Sequence, residues 1–261
     1  MVGVRSTSPN LAVVIPMYNE EAGAAACVTA VCGALDRLVT AARLIVVDDG
    51  SGDGTAAALA RLSTESRLTV VSHEGNRGYG AALRSGVEAA DRAGCDVVIF
   101  MDSDLTNDPA DIVRLLAAMV PGVDVVKATR YRGGGGMRGV PLTRRLISRA
   151  GNSIARGMFR VGLSDCTNGF RALRTTLACR LRLRETGFPI IVEELYCCVF
   201  AARGFAEVPV TLTNRKAELG RTSFVYRPSV LWRYLKYALL AGLRVSPGGR
   251  IVADGEVHRA L

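Results

Sequence analysis

Four short apolar runs, each ending in a polar cluster, constrain this chain more than any other feature. Residues 11–16, 44–47, 68–71 and 97–101 are apolar without alternation, so they read as strands buried on both faces. Helices are predicted between them over about residues 20–38, 55–62 and 78–93, the first two rich in alanine. Such alternation gives a mostly parallel sheet covered by helices on both faces and joined by right-handed crossovers. In an open α/β sheet of this kind, ligands bind at the carboxyl ends of the strands.

All four runs end in residues suited to that task. Pro16, Tyr18 and Glu20 follow the first, Asp48 and Asp49 the second, Asn76, Arg77 and Gly78 the third, and Asp102, Ser103 and Asp104 the fourth. Two carboxylates at i and i+2 after a strand suit a hard divalent cation, which uses one or two acids and fills its shell with water and substrate phosphates. A metal-bound diphosphate is then the expected ligand. Aspartates in this setting also serve as helix caps and Asx-turns, but Asp108-Pro109 supplies a better helix start nearby. The chain has no Gly-Lys-Ser/Thr phosphate loop, and Gly75 to Gly80 does not follow the dinucleotide glycine order.

With 261 residues, 49% of them hydrophobic, the chain is long enough for one large core. Its formal charge of +9 comes almost wholly from arginine, and no acid occurs between Val125 and Ser164, where nine basic residues fall. Such a stretch attracts substrate phosphate, anionic lipid or nucleic acid. Two histidines disfavour His-based triads, and seven cysteines without a CxxC pair suggest neither a disulfide framework nor a zinc site. Carboxylates, arginines and metal must carry the chemistry. The N-terminus shows no signal-peptide pattern, and the 14 uncharged residues 22–35 are too few for a membrane span. A cytoplasmic protein is expected.

Beyond Val125 the rhythm changes. A strand is predicted over residues 123–128, a mobile loop over 131–140, a basic amphipathic helix over 142–159, a turn over 164–170, a helix over 190–203 and an edge-like strand over 206–213 interrupted by Pro209. The glycines Gly133 to Gly136 are either a permissive linker or, flanked by arginines, a loop that closes over a bound anion. Residues 227–244 set Trp232, Tyr234, Leu235 and Tyr237 among Arg233 and Lys236, which suits an interfacial helix and a last core-packing helix nearly equally. Residues 246–261 read as a loosely ordered tail.

Taken in order, Val14-Ile-Pro-Met-Tyr-Asn-Glu20, Ile45-Val-Val-Asp-Asp-Gly-Ser51, Asn76-Arg-Gly78, Met101-Asp-Ser-Asp-Leu105, Thr129-Arg-Tyr131, Asn168-Gly-Phe170, Glu193 and Glu207-Val-Pro-Val210 resemble family 2 inverting glycosyltransferases, on the branch that serves dolichyl and other polyprenyl phosphates. The resemblance implies a GT-A (Rossmann-like) nucleotide-sugar-binding fold over residues 1–245, with a donor half at about 11–128 and an acceptor half at about 129–245. It implies that Pro16, Tyr18, Glu20, Val47, Asp49, Asp102 and Ser103 hold the nucleotide, with Arg215 and Arg221 also on the donor side. Asp104 would ligate Mg²⁺ or Mn²⁺ at the diphosphate, with Asp102 and Thr106 contributing to the metal shell. Arg130 and Arg144 would meet the acceptor phosphate, and Glu193 would lie near the transferred sugar. Two departures stand out. Thr106 occupies a place where the family often has Gln or Ser, and the segment from Arg215 to Phe224 is longer than the family's Arg-x-x-Gly-x-Ser-Lys and lacks its lysine, a place that Arg221 can fill.

The implied reaction moves a hexose, mannose or glucose, from a nucleoside-diphosphate sugar to a polyprenyl phosphate on the cytoplasmic face of an anionic membrane, with peripheral attachment. An acceptor phosphate is anionic near neutral pH and needs no strong base, in keeping with the scarcity of histidine. A soluble hydroxyl acceptor would need one, and Glu193, Glu194 and Asp165 are the candidates. A noncatalytic nucleic-acid-binding protein is set aside, because the basic stretch lacks interleaved stacking aromatics. Oligomeric state has no signature in the sequence.

Overall fold

A computed structural model describes residues 9–38, 40–213 and 228–249. The expected alternation is present as β1 (Leu11–Met17), α1 (Glu21–Leu35), β2 (Ala42–Asp48), α2 (Thr55–Ala60), β3 (Leu68–Ser72), α3 (Tyr79–Arg92) and β4 (Val97–Phe100). These strands pair in parallel in the order β3-β2-β1-β4. Their side chains divide between two cores. Val14, Val47, Val98 and Phe100 face α3 and α7 (Ile190–Ala201), while Val13, Ile15, Leu44 and Ile99 face α1 and α4 (Asp111–Ala117). Both sides of β1, β2 and β4 are dry, which is why their runs do not alternate; β3, expected to be buried on both faces, is instead an edge strand with Val70 exposed, because it has a neighbour on one side alone. Helix α3 lies close on the sheet at Gly86, where a Cβ would fall 2.2 Å from Val14 Cγ1.

In the second half, β5 (Val125–Thr129), α5 (Leu142–Phe159), α7 and α8 (Pro228–Gly242) fall on predicted segments. One strand is new: β7 (Arg171–Arg174) runs antiparallel between β4 and β5, followed by the short α6 (Thr175–Arg180). Two arginines in four residues argue against a central strand unless each finds a partner. Glu194 on α7 accepts from Arg171 Nε and Nη2 at 2.5 and 2.7 Å, the guanidinium lies 4.3 Å from the Phe100 ring centre, and Arg174 Nη2 donates to Met119 O at 2.7 Å. A buried charge survives when it is paired this completely. β8 (Phe205–Pro209) joins β5 in parallel and forms the sheet edge, as Pro209 leads one to expect.

The glycine run corrects the expectation of a mobile loop. β6 (Gly136–Met137) pairs in parallel with β9 (Thr211–Leu212), and Gly136 N and Arg138 N donate to Val210 O and Leu212 O at 3.0 and 2.8 Å. At Gly135 a Cβ would meet Thr129 O at 2.7 Å, so that glycine permits close backbone approach. Ahead of the expected tail, Tyr196 Oη donates to Val245 O at 2.8 Å, and Ser246 is buried; residues 250–261 of that tail lie outside the described residues.

Candidate active site

The strand ends open into a cleft of about 720 Å³. Pro16, Tyr18, Glu20, Asp49, Asn76, Asp102, Ser103, Asp104 and Thr106 line it from the ends of β1 to β4, and Arg130 lines it from the end of β5. Its remaining wall is an apolar trough contributed by Ile147, Gly151 and Ile154 of α5 and Leu231, Tyr234 and Leu235 of α8. Sequence-distant elements thus meet because they all end at one edge of one sheet.

The acid-lined end is cross-linked by its own loops. Asn19, at φ +54°, accepts from Gly52 N at 2.9 Å, and its N–H donates to Ser51 Oγ at 3.0 Å. Asparagine is among the few residues that tolerate this left-handed backbone. Asp49 accepts from Arg77 N at 2.9 Å, Gly78 N at 2.7 Å and His73 Nδ1 at 2.6 Å. A carboxylate has about four lone-pair sites, so Asp49 anchors the β3–α3 loop and retains acceptor capacity toward the cleft. His73 was not singled out from sequence; its Nε2 lies 2.9 Å from Ser85 Oγ, and only the fold brings it beneath Asp49.

Asp102 accepts from Tyr79 Oη at 3.0 Å. Burial, and next the neighbouring Asp104, push the Asp102 carboxyl up to about 6. Asp104 Oδ1 accepts from Thr106 N and Thr106 Oγ1 at 3.0 and 2.8 Å, a turn made possible by Leu105 at φ +53°. Thr106, expected as a metal ligand, spends its proton on orienting Asp104. No group of three or more His, Cys, Asp and Glu side chains placed for a metal occurs among the described residues. Asp102, Asp104 and Thr106 offer oxygen atoms only, and a hard divalent cation takes one or two carboxylates and completes its shell with water and phosphate oxygens. The crowded charge of Asp102 and Asp104 is what such a cation relieves.

At Arg130 the partner is Asp165, which accepts from Nε at 2.6 Å and from Nη2 at 2.9 Å; Thr167 Oγ1 accepts from Nη2 at 3.0 Å. Burial opposes ionisation of Asp165, but Arg130 outweighs it and holds the carboxyl below the usual range. Glu207 accepts from Ser164 N and Asp165 N at 2.5 and 3.0 Å and so fixes the loop that carries Asp165. Lys127, pulled down to about 8 by burial and then by Arg171, donates to Asn168 O at 2.9 Å.

Several sequence expectations move. Glu193 does not line the cleft: its oxygens accept from Arg184 N at 3.0 Å and Glu185 N at 2.8 Å, so it clamps the chain before α7. The carboxyl-run Glu193-Glu194 marks a helix start and a buried ion pair, which sequence could not tell from a catalytic acid. Val47 is likewise turned into the core rather than the cleft. Arg144 belongs to the first turn of α5, and Arg215 and Arg221 lie outside the described residues. Cleft residues without a sequence-stated role are Tyr79, Asn107, Thr186 and Phe188, with Tyr79 and Phe188 stacked at 4.6 Å.

This sheet order, with an acid pair after β4, is a GT-A-like fold, and the solved structures agree. Glucosyl-3-phosphoglycerate synthase from Mycobacterium tuberculosis, in complex with Mn²⁺, UDP and glucosyl-3-phosphoglycerate, superposes with TM-score 0.65 at 22% identity over 89% of this chain and 80% of that one. The chain belongs to glycosyl transferase family 2, whose profile matches residues 12–181, and it is a glycosyltransferase. Among its relatives, polyprenol monophosphomannose synthase of Mycolicibacterium smegmatis is 31% identical over 84% of this chain and 83% of its own length. Undecaprenyl-phosphate mannosyltransferase of Micrococcus luteus is 33% identical over 80% of this chain and 85% of its own.

Proposed function

We propose that this chain transfers a hexose, mannose or glucose, from a nucleoside-diphosphate sugar to a polyprenyl phosphate, with inversion, at the surface of an anionic membrane. The observation that carries the reading is the two-ended cleft, acidic at the strand ends and apolar between α5 and α8. A soluble acceptor has no use for the trough. Mg²⁺ or Mn²⁺ held by Asp104 and Asp102 would stabilise charge on the leaving diphosphate. Tyr79 and Thr106 keep the two acids oriented before substrate arrives. Pro16, Tyr18, Glu20, Asp49 and Ser103 enclose the nucleotide, with Arg215 and Arg221 assigned to the same donor.

Arg130, fixed by Asp165 and Thr167 against the cleft, meets the acceptor phosphate, with Arg144 as its second cation. Fork-like arginine contacts of this kind position as well as attract an anion. The phosphate then attacks as an anion without a protein base. The candidates for a base are all committed: Glu193 to backbone N–H groups, Glu194 to Arg171 and Asp165 to Arg130, which disfavours the hydroxyl-acceptor reading. Exposed Leu142, Leu146 and Ile147 on α5 and Leu231 and Trp232 on α8 form an apolar face next to the trough. It suits peripheral docking, with each basic residue near anionic headgroups contributing about 1 kcal/mol. Among the described residues no helix is long and apolar enough to cross a membrane.

The test is incubation with a panel of nucleotide sugars, Mg²⁺ or Mn²⁺ and a short-chain polyprenyl phosphate, followed by product mass. The expected product is a hexosyl polyprenyl phosphate that forms only with metal. Transfer to soluble hydroxyl acceptors but not to the lipid phosphate would sink the reading.

A further inference from the structure

Five buried side-chain atoms lack a hydrogen-bond partner among the described residues, and two of them belong to residues lining the cleft: Asn107 Oδ1 and Asn168 Nδ2. Asn107 is 3% exposed and Asn168 5%. Folded proteins pair the large majority of such atoms, so two exceptions on residues that line one cleft point to a ligand. Asn168 is firmly held. Its Oδ1 accepts from Phe170 N at 3.1 Å and its carbonyl accepts from Lys127 Nζ at 2.9 Å. The first bond identifies which end of the amide is nitrogen. The adjoining Gly169 lies against Asp102, where a Cβ would be 3.2 Å from Oδ2, and Asn107 follows Asp104 in the turn after β4. The chain that carries each amide thus passes beside one carboxylate of the acid pair.

The two atoms differ in polarity, and that selects the ligand. Asn107 Oδ1 can only accept, so a phosphate oxygen cannot satisfy it. Asn168 Nδ2 can only donate, so a metal ion cannot satisfy it. A hydroxyl group does both, and neutral amides match a neutral polyol as arginines match a phosphate. We infer that Asn107 and Asn168 form a hydroxyl-reading pair that holds the sugar of the donor beside the acid pair and sets which sugar is accepted. The inference rests on the donor reading proposed above. A pocket built to bond a hydroxyl discriminates strongly against a ligand that lacks it, because its own buried polar atoms are then left unpaired.

Calorimetric titration of the full chain with GDP-mannose and UDP-glucose, each beside its bare nucleoside diphosphate, separates the sugar's share of binding from the nucleotide's. The variants are Asn107→Leu and Asn168→Ser, the serine keeping a short oxygen for the Phe170 N–H. Each is expected to bind the nucleotide sugar about tenfold more weakly while binding the bare nucleotide, and Mn²⁺ followed by paramagnetic resonance, as the wild type does. Equal losses for sugar and bare nucleotide would assign the amides to the diphosphate and overturn the inference. Loss of Mn²⁺ affinity in Asn107→Leu would assign that oxygen to the metal and overturn it too. Should a variant fail to fold, wild-type protein decides: at least one nucleotide sugar lacking a single hydroxyl should bind about tenfold more weakly, and a series that binds uniformly refutes the pair. A wild-type protein that binds no nucleotide or nucleotide sugar refutes the donor reading itself, and the inference with it.

Discussion

At the acidic end of the cleft, Asp49 is met by two backbone N–H groups and Asp104 by the N–H and hydroxyl of one threonine. At the Arg130 end, proposed for the acceptor, Arg130 is met by Asp165, and the loop carrying Asp165 by Glu207. Backbone N–H groups brace carboxylates at both ends, but among the described residues a guanidinium pairs with a carboxylate in the cleft wall at the second end alone. The apolar trough beyond Arg130 has even less directional content. A geometry for leaving-group chemistry must be exact to a fraction of an ångström, while a lipid tail needs apolar area and little else. The two ends are built as differently as their tasks require.

Four experiments would break or sharpen that contrast. Asp104→Ala should lower kcat on the order of a thousandfold, since it removes leaving-group stabilisation; a residual rate near wild type would move the donor chemistry elsewhere. Arg130→Lys should cost about a hundredfold in kcat/KM for the acceptor while donor binding stays put, read from steady-state kinetics with each substrate varied. Joint Trp232→Ala and Leu231→Ser should weaken flotation with anionic vesicles by about tenfold, with activity on a short water-soluble acceptor retained. The smallest effect is electrostatic. Asp102 is raised to about 6 in the folded, metal-free protein, so the native state binds the extra proton between the ordinary carboxylate range and that value. Stability from this group therefore falls as pH rises through the window. Melting curves of chelator-treated Asp102→Asn against wild type should show a gain on the order of 1 kcal/mol at about pH 8 that vanishes near pH 4.

The half through β4 was legible because its signals are local: an apolar run, then the polar residues that leave it. Asp102, Asp104, Asp49 and Tyr18 needed only their positions at strand ends to be placed in the cleft. The half beyond β4 was read less well, since its arrangement depends on pairings across long stretches of chain. Nothing near Arg171 announces Glu194, and without that partner β7 does not read as a strand. The surroundings of Glu193 were not legible for the reverse reason. A carboxylate looks the same in sequence whether it faces a substrate or caps a neighbouring turn with its oxygens. The glycine run was misjudged because β6 pairs with residues far along the chain, at β9.

The reversed strand β7 also has a consequence for the order in which the molecule can assemble. β1 to β4 can complete their pairing as soon as β4 has left the ribosome, since every neighbour in that block precedes it. β5 follows soon after but has no place to dock, because β7 must first lie between it and β4. Until then its five buried residues wait with both edges unpaired, since its other neighbour, β8, comes later still, the kind of surface that invites non-native pairing. A nascent chain stalled between β5 and β7 would therefore hold a finished donor platform and an orphan strand, and it is at this interval that a chaperone would have most to protect.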